Sequence, residues 1–578
     1  MRRFGGNVAK SDTKPFASPL LPDYCGEKMD KPLQGAGMTR PNPVTFFAFL
    51  LAILVAMGGA ALMKGGFFIG RHEGDTLHLV QIVFRMVAGE VPHVDFMTPI
   101  GALAFWPIAF FVERGMGIGM AILWAQVAFA AFMLPALWWV GYSRLSRGVA
   151  LLFGLIVMGL LLALVYGEAQ RSISFSMHYN RWAWAATFIA VVAALLPPVH
   201  PNRPAIDGVV IGTMMAVLVM IKVTYFAAFA LPIILALVLG KRLSTLLFAV
   251  LTGGAIAVAI TLFVGVDYWL AYIGDLQTVA NSDVRPQPGE PLSAVMGAPA
   301  YIAGSLVAIA GVIFVRQSGR ANEGLILLLL VPGFFYVTFQ NFGNDPQWLL
   351  LLGVVLLALL PTPDVTNSMG LNLRTAQLVT AAMALALIAP SFANMLYSPF
   401  RHLRVDETTY APILPRGGIH TDLQTADLRA LRVDGRVALD GEGSGLEQFR
   451  EAARRDEQAE FMGEVFPYCT TELGLPAMFD AVTRDLEEAG LAEGKRLLAA
   501  DLFSSYWLYG SLERLEGGAP WYYGGLPGFE SADYLLVPFC PVSHDLQVMI
   551  LKAVTERGTD DLREIRRTPL YILFEKTG

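Results

Sequence analysis

Between residues 44 and 397 the chain is a succession of long apolar runs separated by short polar breaks, whereas beyond Phe400 apolar residues recur at helix and strand spacings among many charges. Runs of spanning length fall at 44–66, 117–141, 149–166, 182–198, 207–222, 225–239, 243–264, 298–315, 323–341, 346–361 and 375–397, which predicts about eleven transmembrane helices. One more apolar piece, "TPIGALAFWPIAFFVER" (98–114), is marginal in length and contains Pro99 and Pro107, poor residues for mid-span. Orientation decides its place. The basic loops "YSRLSRG" (142–148), "GKRLS" (240–244) and "RQSGRANEG" (316–324) face the cytoplasm together with the basic tail before the first helix only if residues 98–114 do not cross. The pattern therefore predicts an outer loop, 67–116, carrying two interfacial helices. In the first of these, from Asp75 to about Gly89, His78, Gln81 and Arg85 form a narrow polar stripe on an otherwise apolar circumference, as suits a membrane boundary.

Three regions follow: a disordered cytoplasmic tail (1–43), a membrane domain (44–399) and an extracytoplasmic α/β domain (400–578). In the last, "LPAMFDAVTRDLEEAGL" and "HDLQVMILKAVTERG" read as amphipathic helices, and "KRLLAADLF", "DYLLVPF" and "PLYILFEK" as strands. Fold class is thus a polytopic α-helical membrane protein with a C-terminal α/β domain. Composition agrees, with 55% hydrophobic and only 16% charged residues among 578. The net charge of -6 is mixed in sign, and no basic cluster is interleaved with aromatics, so nothing points to nucleic acid. Of the 3 cysteines, Cys469 and Cys540 both fall in the outer domain, where a disulfide is permitted.

Polar segments converge on the outer face. They are "GRHEGDTLHL" (70–79), "EAQRSISFSMHYNR" (168–181), the loop 265–297, "QNFGNDPQ" (340–347) and Lys222 at a helix end. The "EGD" acids with their helix, "VDFMTPIGALAFWP" and "GTMMAVLVMIKVT" make the chain resemble the GT-C glycosyltransferases, membrane enzymes that use polyprenyl-phosphate sugars and include protein mannosyltransferases and lipid A aminoarabinose transferases. The resemblance implies a polyprenyl-phosphate-linked sugar donor, a glycan, lipid or protein acceptor, direct displacement with inversion, and residence in a bacterial inner membrane with the last domain periplasmic.

Such transfer needs a carboxylate to take the acceptor proton, for which Asp75 stands first and Glu73 second. It also needs a cation beside the leaving lipid phosphate, with Arg181, Lys222, Arg171 and Arg85 as candidates. His178, Tyr179 and Asn180 join the substrate-binding set through the "HYNR" run, and Asp95 either binds sugar, shares a divalent cation with the acidic pair or caps a helix. A divalent cation is neither required nor excluded. Each residue has a plainer alternative: Asp75 as an N-cap, Lys222 as a snorkelling helix end, Arg181 as an interfacial anchor, His178 as a structural hydrogen-bonding group. The loop 265–297 reads as a surface helix followed by a flap, with Trp269, Tyr272 and Arg285 as lid contacts. "SSYWLYG" and "PWYYGGLPG" either stack on sugar rings or pack as core. A lipid-linked saccharide ligase or polymerase, a transporter and a membrane anchor are the rival functions.

Overall fold

The computed structural model describes residues 39–199, 201–282, 299–341, 345–441, 443–449 and 458–577. The tail before residue 39, with Cys25, and the flap with Arg285 lie outside the described residues. Each expected apolar run is a helix: Pro43–Leu62, Ile118–Arg144, Arg147–Leu162, His178–Leu195, Pro204–Ile221, Val223–Leu239, Leu243–Val264, Pro299–Gln317, Ala321–Gln340, Trp348–Ala358 and Leu373–Leu403. Among the described residues, 6 of them are long and apolar enough to cross a membrane by length and composition alone. The others are shorter or, like His178–Leu195, too polar at one end. Residues 98–114 form only a single short α-helix, Trp106–Val112, with Pro107 in its first turn. Seven residues rise about 10 Å, a third of a hydrocarbon core, which is too short for a spanning helix.

The helix His178–Leu195 is buried along its whole length and forms the axis of the bundle. At its C-terminal end Arg144 and Arg242 both donate to the carbonyls of Ala193 and Leu196, so the basic loops 142–148 and 240–244 share one end of the bundle. Helix Pro204–Ile221 packs closely on Leu243–Val264 because Gly212 lacks a side chain; a Cβ there would stand 2.4 Å from the Ala249 carbonyl oxygen.

At the opposite end lies the α/β layer. Strands β1 (Phe67–Ile69), β2 (Tyr410–Pro412) and β3 (Leu423–Ala426) form a sheet in the order β1-β3-β2, with β1 parallel to β3. A strand that follows the first apolar helix is therefore completed by residues more than three hundred positions later. Strands β4 (Asp434–Val437) and β7 (Cys469–Leu473) pair antiparallel, as do β5 (Ala459–Phe461) and β6 (Glu464–Phe466). The main sheet contains β8 (Leu497–Ala499), β9 (Tyr534–Pro538), β10 (Leu562–Arg567) and β11 (Tyr571–Lys576) in the order β10-β11-β9-β8, only the β8 and β9 pair being parallel. Helix His544–Arg557 covers one face with Leu546, Ile550, Leu551 and Val554; helix Leu475–Glu488 contributes Phe479, Val482 and Leu486 to the core on the other. That second core runs without a break into the membrane helices. Cys469 and Cys540 form a disulfide.

The interfacial expectation for the first outer helix is corrected. Glu73–Val87 does not lie open at a membrane surface, because His78, Gln81 and Arg85 are buried beneath the C-terminal residues. Gln81 donates to Ser505 Oγ at 2.7 Å and accepts from Trp507 Nε1 at 3.0 Å, and the His78 ring lies 5.2 Å from that of Trp521. The polar stripe is a docking surface for protein, with Gln81 hydrogen-bonded to it through both side-chain atoms.

Candidate functional site

Two loops are stitched together at the cavity end of the bundle. Gly70 N–H donates to the Ile173 carbonyl at 2.9 Å, and His72 Nδ1 lies 2.9 Å from Ser174 Oγ. His72 takes a left-handed conformation (φ 66°) that turns the chain into helix Glu73–Val87, and its carbonyl accepts from Thr76. Burial holds the His72 imidazole below its usual pKa, while the Asp75 carboxylate opposes that shift. Asp75 thereby stands in the first turn, half-buried, and its Oδ2 accepts from Ser176 Oγ at 2.5 Å.

Lys222 sits at the break between helices Pro204–Ile221 and Val223–Leu239, with extended backbone at φ -157°. Gly101 packs against that break: its N–H donates to the Ile221 carbonyl at 3.0 Å, and a Cβ on it would stand 2.1 Å from the Met220 carbonyl oxygen. Only glycine fits. Lys222 Nζ donates to Asn180 Oδ1 at 3.0 Å and to Asn341 Oδ1, and lies 5.3 Å from the centre of the Tyr179 ring.

Asp75, Tyr179 and Lys222 line one cavity of about 650 Å³. Pro99, Ile100, Leu276 and Ala280 add apolar wall, and the C-terminal part closes it with Trp521, Tyr523, Ser543 and Asp545. The loop that brings Pro99 and Ile100 is fixed through Asp275, whose Oδ2 meets His93 Nδ1 at 2.9 Å and Thr98 N at 3.0 Å. A second cavity, of about 360 Å³ and lined by apolar side chains, runs between helices Pro204–Ile221, Val223–Leu239 and Leu243–Val264. Its wall includes Val219 and Met220, immediately before Lys222.

The other sequence candidates stand elsewhere. Glu73 is buried and bridged by Arg429, whose Nε and Nη2 donate to it at 2.7 and 2.9 Å. Arg85 pairs with Glu90 at 2.7 Å and donates to the Leu515 carbonyl at 2.9 Å. Arg181 is buried and spends its guanidinium on the carbonyls of Ala163, the cap of helix Arg147–Leu162, and of Val165 just beyond it. His178 is buried, stacked on Phe175, with Nε2 3.0 Å from the Ala104 carbonyl oxygen. Asp95 is exposed and accepts from Val91 N at 2.6 Å within its own turn. Arg171 borders a separate cavity. Tyr272 is buried against His93, and Trp269 lines the apolar cavity. Among the described residues no group of three His, Cys, Asp or Glu side chains is placed to hold a metal ion. Asn341, Ser176, Ser543 and Asp545 had no signal of their own in the sequence; the "PWYYGGLPG" run did supply Trp521 and Tyr523.

Fold and cavity define a helical membrane protein whose α/β layer closes over a polar chamber at one end of the bundle. In fold it is similar to ArnT from Cupriavidus metallidurans, in a crystal structure bound to undecaprenyl phosphate (TM-score 0.42, 10% identity) and in one of the apo state (TM-score 0.40, 12% identity), each covering 92% of this chain and 97% of that chain. No family model matches the chain, and neither does any curated protein. Likenesses of this degree carry no residue role over to this chain, and the chemistry of the chamber follows from its own side chains.

Proposed function

We propose that the chain is a membrane glycosyltransferase that moves a sugar from a polyprenyl-phosphate donor to a hydroxyl acceptor on the outer face, where the chamber and C-terminal domain lie. The observation that carries this is the arrangement around Lys222. An apolar cavity has Val219 and Met220 in its wall, close in sequence to Lys222, and Lys222 itself lines a second chamber that also contains the Asp75 carboxylate. That is the layout an amphiphile with a phosphate head and a hydrocarbon tail demands.

Asp75 is the general base: it takes the proton as the acceptor oxygen attacks the anomeric carbon, and the anomeric C–O bond to the donor phosphate breaks with inversion. Ser176, by donating to Oδ2, holds the carboxylate in one orientation. Lys222 balances the charge growing on the departing phosphate, and the side-chain oxygens of Asn180 and Asn341 aim its ammonium. Tyr179, Trp521 and Tyr523 offer apolar ring faces on which a pyranose can stack. Glu73, Arg85, Arg181 and His178 lie outside the chamber lining and hold the surrounding elements together through Arg429, Glu90, the Ala163 carbonyl and the Ala104 carbonyl. The test is transfer of radiolabelled sugar from a panel of polyprenyl-phosphate sugars by membranes containing the protein, with lipid, glycan and peptide acceptors supplied. Incorporation from one donor is expected; none from any donor and acceptor pair would sink the proposal.

A further inference from the structure

A separate polar cavity of about 440 Å³ lies at the same end of the bundle and includes Gly70, just upstream of the catalytic loop, in its wall. Three arginines border it: Arg171 from the loop after helix Arg147–Leu162, Arg401 from the last turn of Leu373–Leu403, and Arg404, the cap of that helix. The last two are held in place, and Arg401 ties the Arg171 backbone to its helix. Arg401 Nη1 donates to the Arg171 carbonyl at 2.6 Å, its guanidinium lies 5.5 Å from the centre of the Tyr397 ring, and Arg404 Nη1 donates to the Tyr397 hydroxyl at 3.0 Å. The nearby acids are engaged elsewhere, Asp406 with Thr408 at 2.7 Å and Glu407 with Lys64 at 2.9 Å. Among the described residues no carboxylate pairs with any of the three guanidiniums.

Cations at a helix C-terminus interact favourably with its dipole, which accounts for Arg401 and Arg404 singly. It does not account for Arg171, which comes from another segment and meets them around one concavity. Like charges gathered without a counter-charge repel one another, and a bound anion removes that cost. Guanidinium forks match phosphate oxygens two at a time, and a helix that leaves its apolar stretch at Arg401 puts those forks at headgroup depth.

We propose that this cavity is a binding site for a phosphate group, distinct from the chamber at Lys222. The same chemistry is offered by a phospholipid headgroup or by free phosphate. The test uses the full chain in neutral detergent, titrated with dioctanoyl phosphatidic acid and with inorganic phosphate. Replacing all three by glutamine (R171Q, R401Q, R404Q) should weaken phosphatidic acid binding at least tenfold and leave polyprenyl phosphate binding unchanged. The exposed single change R404Q should cost about tenfold, the loss of one charge-assisted contact, and R404K should recover part of it. If inorganic phosphate displaces the lipid at similar concentration, the bare anion is the ligand; if it does not, the ligand is a lipid headgroup. Equal binding by wild type, R404Q and the triple variant would overturn the site, and parallel loss of polyprenyl phosphate binding would merge it with the chamber.

Discussion

Replacing Arg429 by glutamine strands the Glu73 carboxylate. The Glu73 side chain is 3% exposed and that of Arg429 is 27% exposed, so the pair is buried on one side and wetted on the other. Removing one partner of a buried pair costs about 3–5 kcal/mol. Water reaching the Arg429 side reduces this to about 2–3 kcal/mol for R429Q, because the carboxylate that remains is the buried member. For E73Q the cost is only about 1 kcal/mol, since the remaining guanidinium can turn to solvent. For a cooperative unit the size of the C-terminal region, with about 2–4 °C per kcal/mol, R429Q should lower its unfolding temperature by about 4–12 °C. The double change E73Q with R429Q should recover part of the loss, giving a coupling of about 1–3 kcal/mol. Thermal unfolding in detergent, followed by tryptophan fluorescence, reads the shifts, and transfer per folded molecule is measured on the same samples. Both single variants should keep transfer once corrected for folded fraction. An E73Q variant that unfolds like wild type and transfers nothing would refute the structural role and return Glu73 to the reaction.

Other consequences are as direct. Lys222→Met should weaken polyprenyl phosphate binding by about 10- to 100-fold, the value of a charge-assisted contact, without moving the unfolding temperature of the C-terminal region; unchanged binding in a lipid-phosphate titration would remove Lys222 from the donor site. The Cys469 to Cys540 disulfide has a sequence separation of 71, so reduction or a paired change to serine should destabilise the region by up to about 4 kcal/mol in the chain-entropy picture, read as a lower unfolding temperature with reductant. Asp501 is fully buried, and burial pushes its carboxyl up from 3.8 to about 7 although Val542, Leu502 and Ser543 donate backbone N–H groups to it. The folded chain therefore holds a proton there that the unfolded chain releases. Stability from this group is present below about pH 4 and is lost as pH rises to about 7, by at most about 4 kcal/mol. Asp501→Asn should flatten that slope, and equal slopes in the two proteins would exclude Asp501 as its source.

The membrane helices were legible because apolar runs of spanning length are a property of composition, and every expected run is a helix. In the α/β layer the buried strands β9 and β11 and both amphipathic helices were legible from period and aromatic content. Strand β10, "LREIRR", was not, since its arginines face Glu575, Asp485 and Glu464 and leave no apolar alternation to read. Strand β1 is three residues long and owes its existence to pairing with β3. The same limit governs the site. Asp75 and Lys222 stood out as charges in apolar surroundings, but so did Arg85 and Arg181, and only the fold shows that these two are consumed by a carboxylate and by backbone carbonyls. The stripe of His78, Gln81 and Arg85 is a real helical face, yet sequence periodicity cannot say whether lipid headgroups or another part of the chain covers it. The segment "QNFGNDPQ" stood out, but Asn341 within it carries no signal of its own until a lysine from a distant helix reaches it.

The most direct measurement is transfer by Asp75→Asn, with polyprenyl phosphate binding and unfolding temperature recorded on the same preparation. Asparagine preserves an acceptor for Ser176 Oγ while removing the base. The chemistry proposed here predicts a loss of transfer of at least about 100-fold with donor binding and stability unchanged. Transfer at the wild-type rate in a folded, donor-binding Asp75→Asn protein would contradict it.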